Sequence, residues 1–302
     1  MAMRLYVCQS LFNPYALIKK PFVQNAPITV MPIEEFTTAN FFSKARMHVL
    51  LFVATLLTTY YVNGLSYAIT IMIILLAHEL GHYFMCRKYH VPATMPYFIP
   101  LPFPPFGTFG AVIKMKGTIP HKKALFDIGA AGPLMGLFFA IPAIIIGLYL
   151  SDMRPVPADT SLYLGLGEPM LFSWISHLIF GALPDGMDIY LHPIAFAGWA
   201  GLFVTALNLL PIGQLDGGHI VYALLGKKCD IVYRIGIFIF CVIAILLYPG
   251  WMVFAVLLLI FGFRHPSPMD DVATLDPVRK VIGVFLFIIF LISFTPIPLK
   301  LT

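Results

Sequence analysis

The stretch AITIMIILLAHELGHYFMCRKYH, residues 68–90, places three ionisable side chains in a segment apolar enough to span a bilayer. His78 and His82 are four residues apart, and Glu79 follows His78. On an α-helix, positions i and i+4 share one face, so both imidazoles can reach the same metal ion with Glu79 beside it. Ionisable groups at membrane depth are costly and normally face a cavity where they act. The stretch therefore predicts a metal site with a general base inside a spanning helix.

The composition places this helix in a polytopic membrane protein. The chain has 302 residues, of which 60% are hydrophobic and 11% charged, and its mean hydropathy is +0.89. A span needs roughly 20 mostly apolar residues. We expect an all-α integral membrane protein with about seven transmembrane helices, a three-helix catalytic core and a membrane-associated hairpin. The predicted spans are residues 47–63, 66–86, 124–150, 189–211, 231–248, 250–263 and 279–296.

The charges divide unequally between the two sides that these spans create. Of the 19 Lys and Arg residues, all but Arg154 and Lys300 fall on the side of the N-terminus. Positive charge accumulates on the cytoplasmic side of membrane proteins. We therefore predict a cytoplasmic N-terminus and an outside C-terminus. The basic balance follows from this asymmetry, so it predicts a lipid bilayer as the surroundings and no nucleic-acid partner.

Three regions follow from the same pattern. Residues 1–46 are predicted to be an N-terminal cytoplasmic segment, and residues 47–226 a transmembrane metal-binding core that includes a membrane hairpin at 91–120. Residues 227–302 are predicted to supply C-terminal transmembrane helices. Whether 231–263 forms two spans or one broken element stays open at this stage.

A catalytic metal needs a third ligand, and the segment ALNLLPIGQLDGGH, residues 206–219, offers one. Pro211 interrupts an otherwise apolar span, and broken backbone at membrane depth is tolerated where it lines protein or a watery cavity. The break would let Asp216 reach the helix that bears His78. Two alternatives remain: Asp216 caps an ordinary exit turn, or His219 is the ligand. The other candidates, His90, His121 and His265, are interpreted as solvated or structural.

The proline-rich segment after this helix cannot itself be helical. Residues 91–118 are apolar and contain six prolines, which favours a hairpin that dips into the membrane or covers the metal. The alternation over 111–116 predicts a short strand. An exposed strand edge at Val112 and Ile113 could hold an unwound substrate by strand addition. A hairpin with a purely structural role explains the same pattern.

The two motifs together resemble the site-2 protease family of intramembrane zinc metalloproteases. The match comprises HELGH at 78–82 and NLLPIGQLDGG at 208–218, and DIGAAGPLMG at 127–136 is similar to the family's glycine–proline core helix. The resemblance covers roughly residues 66–226. It implies that His78, His82 and Asp216 bind Zn²⁺, that Glu79 is the catalytic base, and that Asn208 hydrogen-bonds substrate or the developing oxyanion.

The resemblance also implies a function. We expect an intramembrane zinc endopeptidase that hydrolyses peptide bonds within or near transmembrane segments of membrane-tethered substrates, as in regulated intramembrane proteolysis. Its partner would be a membrane-protein substrate such as an anti-sigma factor or a membrane-bound transcription regulator, and its location a bacterial inner membrane. The chain offers no room for the PDZ or CBS domain of some members. The alternatives are a metal-ion transporter or sensor, and an inactive homologue that acts as a membrane scaffold.

Overall fold

A computed structural model of the chain describes residues 38–156, 164–263 and 265–301. Most of the predicted N-terminal segment, residues 1–46, lies outside the described residues. The helices are α1 (Thr38–Lys88), α2 (Lys122–Tyr149), α3 (Met170–Phe180), α4 (Pro193–Asn208), α5 (Asp216–Leu225), α6 (Cys229–Leu246), α7 (Met252–Phe261) and α8 (Pro277–Ser293). The strands are β1 (Tyr97–Pro100), β2 (Thr108–Val112), β3 (Asp152–Pro155), β4 (Leu164–Leu166), β5 (Met187–Tyr190) and β6 (Leu299–Leu301).

The chain is mostly helical, but it is not all-α. The described strands pair as three two-stranded antiparallel sheets, β1–β2, β3–β5 and β4–β6. The last two join segments that are far apart in sequence, so no local pattern marks them. They close the connections on either side of α3 and tie the C-terminal strand back to the region before α3.

The long helix α1 is broken at Gly64, where φ is 80° and ψ is 176°. A side chain would strain this left-handed backbone, whereas glycine accepts it. The two predicted spans, 47–63 and 66–86, lie on either side of this break, and both fall within the single apolar segment Arg46–Lys88. The second part carries His78 and His82 and ends in Arg87 and Lys88.

The core forms where α2 packs against α4 and α5. Fully buried apolar side chains from these helices, among them Leu148 and Trp199, join Tyr67 of α1 in one cluster. The outward side chains are also apolar: Tyr61, Leu246 and Val253 are each more than 70% exposed. Exposed apolar surface of this kind fits contact with lipid.

Three segments of the described chain are long and apolar enough to cross a membrane, judged by length and composition: Arg46–Lys88, Lys122–Tyr149 and Asp216–Leu246. The number of seven predicted spans is therefore not confirmed. The predicted spans 189–211, 250–263 and 279–296 correspond to α4, α7 and α8, which have 16, 10 and 17 residues. The predicted span 231–248 is part of a longer helical stretch that begins at Asp216, with a short 3-10 turn at Gly226–Lys228.

The proline-rich segment forms an antiparallel hairpin, in which Tyr97 is opposite Val112. The strand predicted over 111–116 begins earlier, at Thr108, and its regular part ends at Val112; a single bridge then joins Met115 to Ala93. The hairpin lies against α1, where Thr58 Oγ1 donates to Gly107 O at 2.8 Å and Tyr67 OH donates to Phe106 O at 3.0 Å. Its position in a membrane stays a prediction.

Candidate metal centre

Three side chains from two distant parts of the sequence converge at one buried point. Asp216 Oδ2 lies 3.2 Å from His78 Nε2 and 3.3 Å from His82 Nε2, and the two histidine nitrogens are 3.2 Å apart. Both histidines are less than 10% exposed. Among the described residues, these three form the group of His, Cys, Asp and Glu side chains that could hold a metal ion.

The protonation of His82 explains why a cation belongs here. His82 Nδ1 lies 2.7 Å from the carbonyl oxygen of Ile128, which only accepts, so Nδ1 carries the proton. In the neutral ring Nε2 is then a lone-pair acceptor that faces a carboxylate oxygen, another acceptor. Asp216 Oδ2 is buried and has no hydrogen-bond partner in the described structure. A metal ion satisfies these converging lone pairs at once.

The geometry and the donor set both fit zinc. Catalytic zinc sites use three protein ligands, and His₂ plus one carboxylate is an established combination. With tetrahedral bonds of about 2.0–2.1 Å, ligand atoms lie roughly 3.3 Å apart. The observed separations of 3.2, 3.2 and 3.3 Å match this value.

The backbone break after α4 brings Asp216 to the histidines. Helix α4 ends at Asn208, and the chain turns through residues 209–215 before α5 begins at Asp216. Gly213 takes a φ of 51° in this turn. The interruption predicted at Pro211 is therefore present, and Asp216 occupies the first turn of α5 rather than a solvent-exposed exit turn.

Helix α2 provides the surface against which the histidine rings rest, a role that the sequence pattern of α2 does not reveal. A Cβ atom built at Gly136 would lie 3.1 Å from His78 Nδ1. Gly132, one turn earlier, faces His82 even more closely. The signal was the small-residue spacing within DIGAAGPLMG, which by itself indicates only close helix packing.

Asn208 and Glu79 also lie at this centre. Asn208 Nδ2 is 3.2 Å from His78 Nε2, and Glu79 is buried on the same turn as His78. The backbone N–H of Ile113, just beyond β2, lies close enough to the Glu79 carboxylate to interact with it. The end of the hairpin thus lies beside the predicted base. Val112 is the partner of Tyr97 in the hairpin, and its side chain is half exposed.

His219, the alternative third ligand, turns away from the metal group. Its Nδ1 contacts His265 Nε2, and the His265 ring stacks on Tyr222 at 4.7 Å between centroids. His265, which was interpreted as solvated or structural, packs against His219 and Tyr222. Its burial lowers its pKa to about 4. Among the described residues, the group of potential ligands contains Asp216 and not His219.

The fold and the centre together define a helical membrane protein with an HExxH metal site. A family model for peptidase family M50 matches residues 66–245. The chain belongs to this family, which confirms the resemblance to site-2 proteases.

Several relatives share the match. The chain is 32% identical over 241 residues to "Probable zinc metalloprotease EGY1, chloroplastic" of Arabidopsis thaliana, covering 76% of this chain and 42% of the relative. It is 30% identical to "Probable zinc metalloprotease EGY2, chloroplastic" of the same plant, covering 80% and 43%. The chain thus spans less than half the length of these relatives. The solved "Site-2 Protease from Methanocaldococcus jannaschii" aligns over 82% of this chain and 86% of its own, at 15% identity and a TM-score of 0.33.

Proposed function

We propose that this chain is a membrane-embedded zinc endopeptidase that hydrolyses peptide bonds within or near transmembrane segments of membrane-tethered substrates. The observation that carries the proposal is the convergence of His78 Nε2, His82 Nε2 and Asp216 Oδ2 within 3.3 Å, with Glu79 on the same helical turn. The names of the relatives, probable zinc metalloproteases, support it. The apolar helices around the centre support a substrate that arrives through the membrane.

Each residue of the centre has a chemical role in this proposal. His78, His82 and Asp216 would hold the ion; zinc, when bound, lowers the pKa of a water ligand to near neutrality and polarises a carbonyl. The Glu79 carboxylate accepts a proton from the attacking water and returns it to the nitrogen of the leaving amine. The Asn208 amide, already 3.2 Å from His78 Nε2, can donate to the oxyanion that develops on the scissile carbonyl.

The orientation of the β2 edge supports strand addition as the way in which substrate is held. Lys114 O accepts from Thr94 N at 3.0 Å and Lys116 N donates to Pro92 O at 2.7 Å, so both turn their backbone groups toward the first arm of the hairpin. Successive residues of an extended chain face opposite sides. Ile113, between Val112 and Lys114, therefore directs its N–H the other way, toward the side where Glu79 lies. A substrate strand added on this side would lie at the metal.

The finer statements on substrate and location are part of the proposal. We infer a membrane-protein substrate, with an anti-sigma factor or a membrane-bound transcription regulator as examples of the class. The charge asymmetry of the sequence supports a cytoplasmic N-terminus and an outside C-terminus. The relatives are named as chloroplastic, so they give no support to a bacterial inner membrane.

The test combines metal content with cleavage of a tethered transmembrane reporter. We expect the wild type to contain zinc and to cleave, Glu79→Gln to retain zinc without cleaving, and His78→Ala or Asp216→Ala to lose both. Cleavage by Glu79→Gln would refute the mechanism. If the wild type contained zinc but cleaved no tethered reporter, the alternative of a metal-binding scaffold without protease activity would be favoured.

A further inference from the structure

An apolar cavity of about 340 Å³ opens beside the metal centre. Its walls come from three parts of the chain: the second half of α1, including Ile71 and Leu75; the hairpin, including Phe106 and Phe109; and α4, including Val204. Phe254 of α7 and Leu215 of the turn after α4 also line the cavity. The volume is at the lower end of the range for ligand pockets, which suits one large side chain rather than a whole peptide.

The cavity adjoins the reacting groups. Asn208 lines the cavity, and its Nδ2 atom lies 3.2 Å from His78 Nε2. The cavity wall is therefore in direct contact with the metal group. Leu75 lies one helical turn before Glu79 and therefore on the same face of α1. Leu215, another lining residue, directly precedes Asp216. A side chain in this cavity belongs to a residue next to the bond that the centre would cut.

The hairpin supplies a second reason for placing a substrate side chain here. Thr108, Phe109 and Gly110 of β2 line the cavity, and a few residues later Ile113 lies beside Glu79. A strand added along this edge would run past the mouth of the cavity as it approaches the centre. Its side chains alternate between two faces, so one of them can enter.

The lining selects for an apolar occupant. Among the described residues that line the cavity, none carries a charge. The hydroxyl groups are already engaged: Tyr67 OH donates to Phe106 O at 3.0 Å, and Thr108 Oγ1 donates to Ile99 O at 2.9 Å. A charged side chain would lose its hydration here without gaining a partner.

We propose that this cavity is the specificity pocket of the centre and that it takes one bulky apolar side chain, of the size of Leu, Met or Phe, from a residue adjacent to the scissile bond. The inference rests on the proposed protease function and adds the substrate class to it. In this proposal, the cleavage site is selected by how well the substrate side chain fits between Val204 of α4 and Phe254 of α7.

The experiment narrows the pocket and compares cleavage rates. A tethered reporter with a mapped cleavage site carries Ala, Leu, Phe or Asp at the two positions flanking the scissile bond. The variant Val204→Phe narrows the pocket, and Val253→Phe is the matched control, because the same change falls on a residue of α7 that is 75% exposed. Zinc content and unfolding temperature are measured for each variant to show that it is folded.

We expect the wild type to prefer Leu or Phe over Ala and to reject Asp at one flanking position. Val204→Phe should lower kcat/KM for the Phe reporter by about tenfold or more relative to the Ala reporter, since one methylene in an apolar pocket changes rates by roughly 10–200-fold. Val253→Phe should leave the ratio unchanged. Should Val204→Phe fail to fold, Phe254→Ala tests the opposite direction and should shift the preference toward larger side chains.

The outcomes separate this inference from the proposed function. Cleavage that depends on Glu79 but has the same Phe-to-Ala ratio in the wild type, Val204→Phe and Phe254→Ala would overturn the specificity pocket alone and leave the cavity to a lipid chain. Equal cleavage of the Phe and Asp reporters by the wild type would overturn it too. A wild type with no Glu79-dependent cleavage of any reporter would overturn the proposed function, and the pocket with it.

Discussion

Gly132 lies directly against the ring of His82: a Cβ atom at this position would be 2.0 Å from His82 Nε2 and 2.4 Å from Cε1. Real Cβ atoms do not approach another heavy atom so closely, so any side chain here must push the imidazole away. The displaced atom is the nitrogen that faces Asp216 and His78. The absence of a side chain at Gly132 is therefore a condition for the metal group to exist.

We predict that Gly132→Ala disrupts metal binding without removing a ligand. Misorienting a ligand typically weakens metal affinity by about 10–100-fold, and zinc titration of the purified variant in detergent measures the loss. Gly136→Ala should have a smaller effect, because its Cβ would be 3.1 Å from His78 Nδ1. The control is Gly236→Ala in α6, where the Cβ meets the flexible Ile212 side chain at 3.1 Å. Full zinc affinity in Gly132→Ala would show that close packing of α2 against the His82 ring is not needed for metal binding.

A second prediction concerns the backbone N–H of Ile113, which lies beside Glu79 on the side where a substrate strand would add. Ile113→Pro removes this N–H and should abolish reporter cleavage, whereas Ile113→Ala keeps it and should retain most of the rate. Val112→Pro disturbs the strand that is paired with Tyr97 and should also reduce cleavage. The measurement is the initial rate of cleavage, with zinc content as the check on folding. Unchanged turnover in a folded Ile113→Pro variant would exclude strand addition at this edge.

Metal removal distinguishes Asp216 from His219 as a ligand. A ligand present at 100 times its Kd adds about 2.7 kcal/mol of stability, so a chelator should lower the unfolding temperature of the wild type, and added zinc should restore it. His219→Gln should respond to the chelator as the wild type does. Asp216→Ala should respond much less. If the two variants exchanged these responses, His219 rather than Asp216 would be the third ligand.

The local part of the site could be predicted from the sequence, because helical periodicity fixes how His78 and His82 face one another. The interruption at Pro211 indicated that Asp216 could return to them. The role of Gly132 could not be predicted, because glycine has no side chain that indicates a function. Its role depends on which helix packs against it. The structure supplied that neighbour.

The architecture was less predictable for a related reason. Apolar composition shows that a segment avoids water, but it does not show where the helix within it ends. Helix α7 has 10 residues within the 14 predicted at 250–263, and α8 has 17 residues against the 18 predicted at 279–296. The pairing of β3 with β5 joins residues more than 30 positions apart and leaves no local signal.

The ion pair between Arg279 and Asp127 anchors α8 to α2. Arg279 Nε and an Nη atom each donate to one Asp127 oxygen at 2.7 Å, in bidentate geometry, and the hydroxyl of Tyr89 donates to the same carboxylate. The side chains are 24% and 15% exposed. We predict that Arg279→Met lowers the free energy of unfolding by about 2–3 kcal/mol, because it leaves Asp127 partly buried without its cation.

Lys280→Met is the matched control for this change. Lys280 is the exposed neighbour of Arg279, and its loss should change stability by less than about 0.5 kcal/mol. Thermal or denaturant unfolding in detergent measures both variants. Equal effects of the two substitutions would show that the Arg279–Asp127 pair contributes nothing specific.

The last prediction concerns acid sensitivity at His265, whose pKa is lowered by burial to about 4. His219 and Tyr222 of α5 face its ring, and Asp271 accepts a hydrogen bond from Tyr222. In the unfolded chain His265 would titrate near 6.5. Its contribution to stability is therefore complete above pH 6.5 and decreases as the pH falls toward 4, because the unfolded state binds the proton first. The unfolding temperature of the wild type should decrease over this interval.

His265→Gln should reduce this decrease, since glutamine does not titrate, and the difference between the two curves isolates His265 from the other acidic groups. His177→Gln, the same change at an exposed histidine of α3, is the control for the substitution itself. Parallel curves for His265→Gln and the wild type would show that His265 is already protonated in the folded chain near pH 6, and that the contact with His219 does not depend on a neutral ring.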